Sequence, residues 1–222
     1  MPSTDGAGPG KKRFKPYPTG CFRLDIAEVR TEAGKLHLFV AMDRTAKLAF
    51  APLHERATRQ VAADFLHALV KAVPHTIHTV LTDNGVPFAH TLADPEECSA
   101  EDAQTSWIIR QQARTGRVHA FGYACEQHGI EHRLARPCHP WTNGQVERMD
   151  RSLKDATVRR YHYASHDELR AHVQLFLDAR NHARRLKALR GLTPGEFTCQ
   201  VWTKEPDRFR INPLHHTLGL NN

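Results

Sequence analysis

The sequence predicts an α/β fold, a mixed sheet of five strands flanked by helices, followed by a C-terminal helical extension. Two observations predict it. Short apolar runs with a period of two are interleaved with segments of helical period, in the order βββαβ and then αβαα. Three strands in a row followed by alternation of helix and strand belong to a sheet that mixes antiparallel and parallel pairing. The composition agrees: 222 residues, 40% hydrophobic and 25% charged, leave room for one large domain or two small ones. They exclude disorder throughout, a collagen helix and a coiled-coil rod.

Residues 1–16, rich in Gly, Pro and Lys, read as a basic tail or linker. Phe22, Leu24 and Ile26 alternate with Arg23, Asp25 and Ala27, the pattern of a half-buried first strand. The apolar runs Leu36–Met42 and Lys47–Pro52, joined by an Asp43-Arg44-Thr45 turn, continue it as an antiparallel meander. From Thr58, the residues Val61, Phe65, Leu66, Leu69, Val70 and Val73 recur at helical spacing until Pro74 stops them. His78–Leu81 is a short fourth strand ending in the turn Thr82-Asp83-Asn84-Gly85. Asp94–Asp102 then holds five acidic residues, and the stretch of about 91–116 reads as an exposed insertion. Val118–His128 reads as a helix closed by Gly129, and Ile130–Leu134 as the fifth strand. A rigid Pro137–Gly144 loop leads into a long basic helix from Gly144 to about Tyr163. Ser165 with Glu168 and Thr193 with Glu196 carry the capping-box pattern for two further helices, the second with Pro194 at its first position. The expected organisation is a tail over 1–16, a core over 17–163 and a helical extension over 164–222.

No apolar stretch approaches the ~20 residues of a membrane helix, and the N-terminal segment has no apolar signal-peptide core, so a cytoplasmic protein without a membrane partner is expected. Five scattered cysteines without a C-x-x-C pair argue against a disulfide framework and a structural zinc site. The sixteen histidines show no zinc-protease spacing and read as surface or satisfied core residues. The formal net charge is +7, and residues 131–190 hold 13 Lys or Arg against 7 Asp or Glu. A basic segment of this kind is either a solvated helical face or a track for a polyanion.

Three carboxylates stand at the ends or edges of expected elements. Asp25 lies on the first strand opposite the apolar face, Asp83 where the fourth strand runs out, and Glu147 one turn into the basic helix. Carboxyl ends of strands are where open α/β sheets assemble their sites. Three carboxylates within a few Å repel one another by several kcal/mol unless cations are present. Oxygen-only donors favour Mg²⁺ or Mn²⁺, and two such ions ~3.5–4 Å apart clamp the attacking and leaving oxygens of a phosphoryl displacement. Each residue also has a plainer reading: Asp25 paired with an arginine, Asp83 holding its turn, Glu147 solvated beside Arg148 and Arg151.

The surrounding text resembles one family. Thr82-Asp83-Asn84-Gly85-x-x-Phe88 and His139-Pro140-Trp141-Thr142-Asn143-Gly144-Gln145-Val146-Glu147-Arg148 resemble the catalytic core of retroviral-integrase-like transposases of bacterial insertion sequences. Arg23-Leu24-Asp25-Ile26-Ala27, Leu38–Arg44 and His128–Arg133 are similar to the family's first, second and fifth strands, and the resemblance runs in order over about 17–200. It implies a ribonuclease H-like fold, with Asp25, Asp83 and Glu147 as catalytic acids holding Mg²⁺ or Mn²⁺ as two ions. The implied activity is phosphodiester hydrolysis followed by strand transfer, in which a 3′ hydroxyl attacks target DNA without a covalent enzyme intermediate. The implied partners are DNA, as transposon ends and target, and further copies of the chain on that DNA. Asn143, Arg148, Arg151 and Lys154, with Arg159 and Arg160 further along, are the expected DNA contacts. Glu147, Arg151 and Lys154 share one helix face.

Three features depart from the family. Asp83 and Glu147 are further apart than is usual, the acidic insertion making up the excess. Pro87 stands where an acid is frequent, and Asp150 where Asn is frequent. Residues 1–16 are too few for a helix-turn-helix, so a separate helix-turn-helix polypeptide is the expected reader of transposon ends, or the frame is a remnant. Two alternatives stand beside strand transfer: a catalytically degenerate DNA-binding remnant, and a ribonuclease H-like nuclease that only hydrolyses. The acidic triad disfavours the first, and the Thr-Asn-Gly-x-Val-Glu-Arg context disfavours the second.

Overall fold

The computed structural model of the protein describes residues 17–83, 85–89, 119–135 and 144–215. The tail, the acidic insertion and the Pro137–Asn143 loop, with Asn143 itself, lie outside the described residues.

Strands β1 (Cys21–Thr31) and β2 (Gly34–Asp43) form a long antiparallel hairpin in which Arg23 faces Met42 and Asp25 faces Val40. The run expected as one third strand is two short ones, β3 (Ala49–Phe50) and β4 (Leu53–His54), both antiparallel to β2. Proline has no N–H to give a ladder. At Pro52 only the carbonyl takes part, accepting from Phe39 N–H at 3.1 Å, and regular pairing resumes at Leu53. Strand β5 (Thr79–Thr82) lies parallel to β1, with Cys21 opposite Thr79 and Arg23 opposite Leu81. Strand β6 (Glu131–Leu134) lies parallel to β5 and gives the order β3-β2-β1-β5-β6, with β4 also on β2. The expected mixed sheet flanked by helices is the observed one.

Helices cover both faces. Helix α1 (Arg59–Ala72) starts at Thr58, whose side chain accepts from Val61 N–H, and α2 (Ala120–Gln127) ends before Gly129, which takes the left-handed conformation at φ 63°. Phe65, Leu66 and Leu69 of α1 and Phe121 and Ala124 of α2 bury against Phe22, Leu24, Phe39 and Val80. On the other face, helix α3 (Gly144–Ala156) inserts Val146, Met149 and Leu153 against Leu36, Leu38, Val40 and Met42. Helix α4 (His166–Asp178) adds Leu169, Val173 and Leu177 to that second core. Beyond a π-helical turn over Ala179–Ala183, helix α5 (Pro194–Lys204), the last α-helix among the described residues, begins with a complete Thr193–Glu196 capping box. At α4 the box is modified: Ser165 caps Glu168 N–H, but Glu168 reaches back to Ala164 N–H at 2.9 Å.

The basic helix is shorter than expected. It ends at Ala156, not near Tyr163, because the next amides leave the α-helical ladder: Thr157 and Arg160 N–H bond three residues back, to Lys154 and Thr157, and Arg159 N–H bonds five back, to Lys154. Arg159 and Arg160 therefore lie past the helix, in the turn that leads to α4.

Candidate active site

Alternation along β1 puts Phe22 and Leu24 into the first core and turns Arg23 and Asp25 to the opposite face, beneath α3. The same period on β5 puts Leu81 and Asp83 on that face, so extending the parallel register beyond Arg23 and Leu81 sets Asp25 beside Asp83. Glu147 approaches from α3. Its helix buries Val146, Met149 and Leu153 along one stripe, which leaves Glu147, Asp150, Arg151 and Lys154 along the stripe's flank.

Asp25 is fixed by Ile26 N–H, which donates to Oδ1 at 2.9 Å. Burial pushes its carboxyl up to about 6 against that hydrogen bond, and repulsion from Asp83, Asp150 and Glu147 adds to the rise. Acids from three separate elements thus share one electrostatic field around Asp25. Asp83 accepts from Gly85 N–H at 3.1 Å, so it does hold its turn. Gly85 is also a spacing requirement, because a Cβ there would stand 3.0 Å from Asp83 Oδ1 and 3.4 Å from Oδ2. Neither Asp25 nor Glu147 forms an ion pair with an arginine among the described residues. Among those residues no three His, Cys, Asp or Glu side chains are grouped closely enough to hold one ion. The carboxylates share a field and a face. The donor chemistry, oxygens alone, fits a hard divalent ion.

The expected DNA contacts divide into two kinds. Arg148 and Arg151 are exposed on α3 without an ion-pair partner among the described residues. Lys154 pairs with Asp150 at 3.1 Å, and Arg159 pairs with Asp155 at 2.6 Å. Arg160 lies near the Tyr161 ring, 5.9 Å from its centroid. Asp150, which in the sequence stands out only as a departure from the family, is a member of the acidic field, and its Oδ1 is buried without a hydrogen-bond partner.

Sequence reasoning misses several residues of this face. Arg23 is only 4% exposed, and burial followed by repulsion from Arg44 lowers its guanidinium from the ordinary range. Lys47, held in a left-handed turn at φ 60°, donates from Nζ to Gln145 Oε1 at 3.1 Å and to the Arg44 carbonyl, tying the β2–β3 connection to the start of α3. The period of two that places Asp25 off the apolar face also places Arg23 there, so this signal is present in the sequence.

Two family models, both described as integrase core domain, match the chain over residues 16–140 and 128–194. Among solved structures the chain is similar to the catalytic core domain of BIV integrase, with a TM-score of 0.56 and 21% identity, covering 85% of this chain and 99% of that one. It is similar also to a chain of the simian T-cell lymphotropic virus intasome in complex with the PP2A regulatory subunit B56 gamma. There the TM-score is 0.55 at 21% identity, covering 78% of this chain and 52% of that chain, about half its length. No curated relative matches the chain. At these identities the structural likeness establishes the fold, ribonuclease H-like as the sequence resemblance implied.

Proposed function

We propose, from the premise that this chain belongs to the integrase core domain family, that it hydrolyses DNA phosphodiesters and transfers the resulting strand end to target DNA in transposition. The observation that carries this reading is the shared field of Asp25, Asp83 and Glu147, contributed by β1, the end of β5 and α3. An all-carboxylate cluster that repels itself gains most from divalent cations. Asp25, Asp83 and Glu147 are the residues that hold Mg²⁺ or Mn²⁺, as two ions. When bound, such ions activate water and stabilise the charge that develops on phosphate and leaving oxygen.

The chain's own residues prepare this site. The Ile26 and Gly85 amides fix the Asp25 and Asp83 carboxylates before any ion arrives. Glu147 is exposed and has no such anchor among the described residues, so it is the arm free to adjust. Arg148, Arg151, Lys154, Arg159 and Arg160, with Asn143, hold the duplex by its phosphates, which positions DNA without reading its sequence. The core works as a homo-oligomer on DNA. The tail, core and extension divide at residues 16 and 163.

The test is a gel assay of the purified chain on labelled duplex with Mg²⁺ or Mn²⁺. Nicking and joined products are expected, and Asp25→Asn, Asp83→Asn and Glu147→Gln each abolish both while DNA binding persists. Metal-dependent cutting that survives all three substitutions would refute the assignment.

A further inference from the structure

The face that carries the acids also carries cations without counter-ions. Across the sheet, Met42, Arg23, Leu81 and Arg133 stand in one row, two residues before the positions of Asp25 and Asp83. Arg133 is occupied, pairing with Glu131 at 2.7 Å. Arg23 is not: it forms no ion pair among the described residues, and its Nε is buried without a hydrogen-bond partner. Arg44, at the end of β2, lies within electrostatic reach of Arg23, and its guanidinium rests 3.9 Å above the centroid of the Tyr17 ring. Arg44 is half-buried and also has no ion pair among the described residues. The nearby acid Asp43 is committed elsewhere, to the amides of Gly20, Thr45 and Ala46 and to His75. Glu147 reaches Arg23 electrostatically, but the proposed role of Glu147 assigns it to metal.

We infer that Arg23 and Arg44 form a phosphate-binding pair toward the start of β1, on the face that carries the carboxylates, which takes a backbone phosphodiester of the DNA being cut. This rests on the proposed DNA-cutting reading and adds contacts from β1 and β2 to those of α3. Two like charges drawn together away from water favour an anion for the same reason that clustered carboxylates favour a cation. Arg44, whose guanidinium lies 3.9 Å from the centroid of the Tyr17 ring, carries planar donors of the kind that suit phosphate oxygens. Arg23, beneath it and too buried to touch a duplex, strengthens the local field where screening is weak.

Binding of the full chain to random duplex, measured by fluorescence anisotropy in EDTA between roughly 50 and 200 mM salt, tests the pair. Arg44→Gln is expected to lower the slope of log affinity against log salt by about one and to weaken binding roughly eightfold at 0.1 M salt. Arg44→Lys restores most of the slope, and Arg59→Gln, on α1 behind the opposite face, leaves it unchanged. Arg23→Met is expected to weaken DNA binding while keeping or raising the melting temperature, because it removes a buried charge without a partner. An unchanged slope in Arg44→Gln, or the same loss in Arg59→Gln, overturns the pair. So does an Arg23→Met chain that melts lower yet binds DNA as before, since that is the mark of a structural arginine. Wild-type chain that shows no salt-dependent DNA binding refutes the DNA reading itself. Wild-type chain that binds and cuts while Arg44→Gln keeps its slope refutes the pair alone.

Discussion

Asn181 completes the edge of the sheet at Ala49: its Oδ1 accepts from Ala49 N–H at 3.0 Å and its Nδ2 donates to the Ala49 carbonyl at 2.8 Å. A side-chain amide thus takes the place of a neighbouring strand. Next to it, Arg180 donates to the Lys47 carbonyl at 2.7 Å, so the π-helical turn clamps the connection that carries Arg44 and Lys47.

Replacing Asn181 by Leu keeps the volume and leaves two buried backbone groups unpaired. The expected loss is about 2–4 kcal/mol, from roughly 1–3 kcal/mol for each group with partial relaxation. It is read from the denaturation midpoint at unchanged m-value. A loss below about 0.5 kcal/mol would mean that the amide pairing contributes little beyond what water supplies.

Gly85→Ala tests the spacing beside Asp83. The new Cβ crowds the Asp83 carboxylate at 3.0 Å, so the carboxylate or the turn must shift by a few tenths of an ångström. Catalytic geometry is sensitive to displacement on that scale. Cutting activity is expected to fall tenfold or more with little change in duplex affinity. Full activity in Gly85→Ala would place Asp83 outside the reacting centre.

The strands and their inward faces are legible in the sequence because a period of two is a local signal. That period alone separates Asp25 from Phe22 and Leu24, and Asp83 and Glu147 stand out at element ends. The Asn181–Ala49 pairing is not legible, since it joins distant residues and leaves no periodic trace. The early end of α3 is hidden for a different reason: Thr157 and Val158 are tolerable in a helix, and neither Gly nor Pro marks the point where the amide ladder breaks. Arg23 carries the same strand signal as Asp25 but draws no attention in the sequence, because an arginine is rarely buried without a partner.

The α3 cations are expected to differ in their effect on DNA. By helical spacing, Arg151 and Lys154 have equal standing on one face. Lys154 is bound to Asp150, with side chains only 22% and 17% exposed, whereas Arg151 is exposed. Arg151→Ala is expected to lower the salt slope of duplex binding by about one unit, and Lys154→Ala by clearly less. Asp150→Asn, which releases the lysine and removes a negative charge, is expected to strengthen binding. Equal slopes for the two alanine variants would show that the ion pair opens freely when DNA arrives.

His132 makes folding acid-sensitive on the face away from the carboxylates. It lies between Thr82, whose hydroxyl is 2.8 Å from Nε2, and the Phe121 ring, 4.9 Å between centroids. Burial, with a smaller contribution from the charge of His119, pushes its imidazole down to about 3 from the ordinary 6.5. Between these values the unfolded chain takes up a proton that the folded chain refuses. The contribution of His132 to stability is therefore complete above pH 6.5 and is lost as pH falls toward 3, by up to about 1.4 kcal/mol per pH unit. His132→Phe fills the same space without titrating and leaves the Thr82 hydroxyl unpaired, an offset of about 1–3 kcal/mol that does not vary with pH. Urea denaturation of both chains from pH 7 to pH 4 separates the two effects. The advantage of wild type over the variant is expected to fall steadily on acidification, by up to about 3.5 kcal/mol between pH 6.5 and pH 4, and so to pass through zero and reverse sign. A difference that stays constant across that range would mean that His132 is protonated as readily in the folded chain as in the unfolded one.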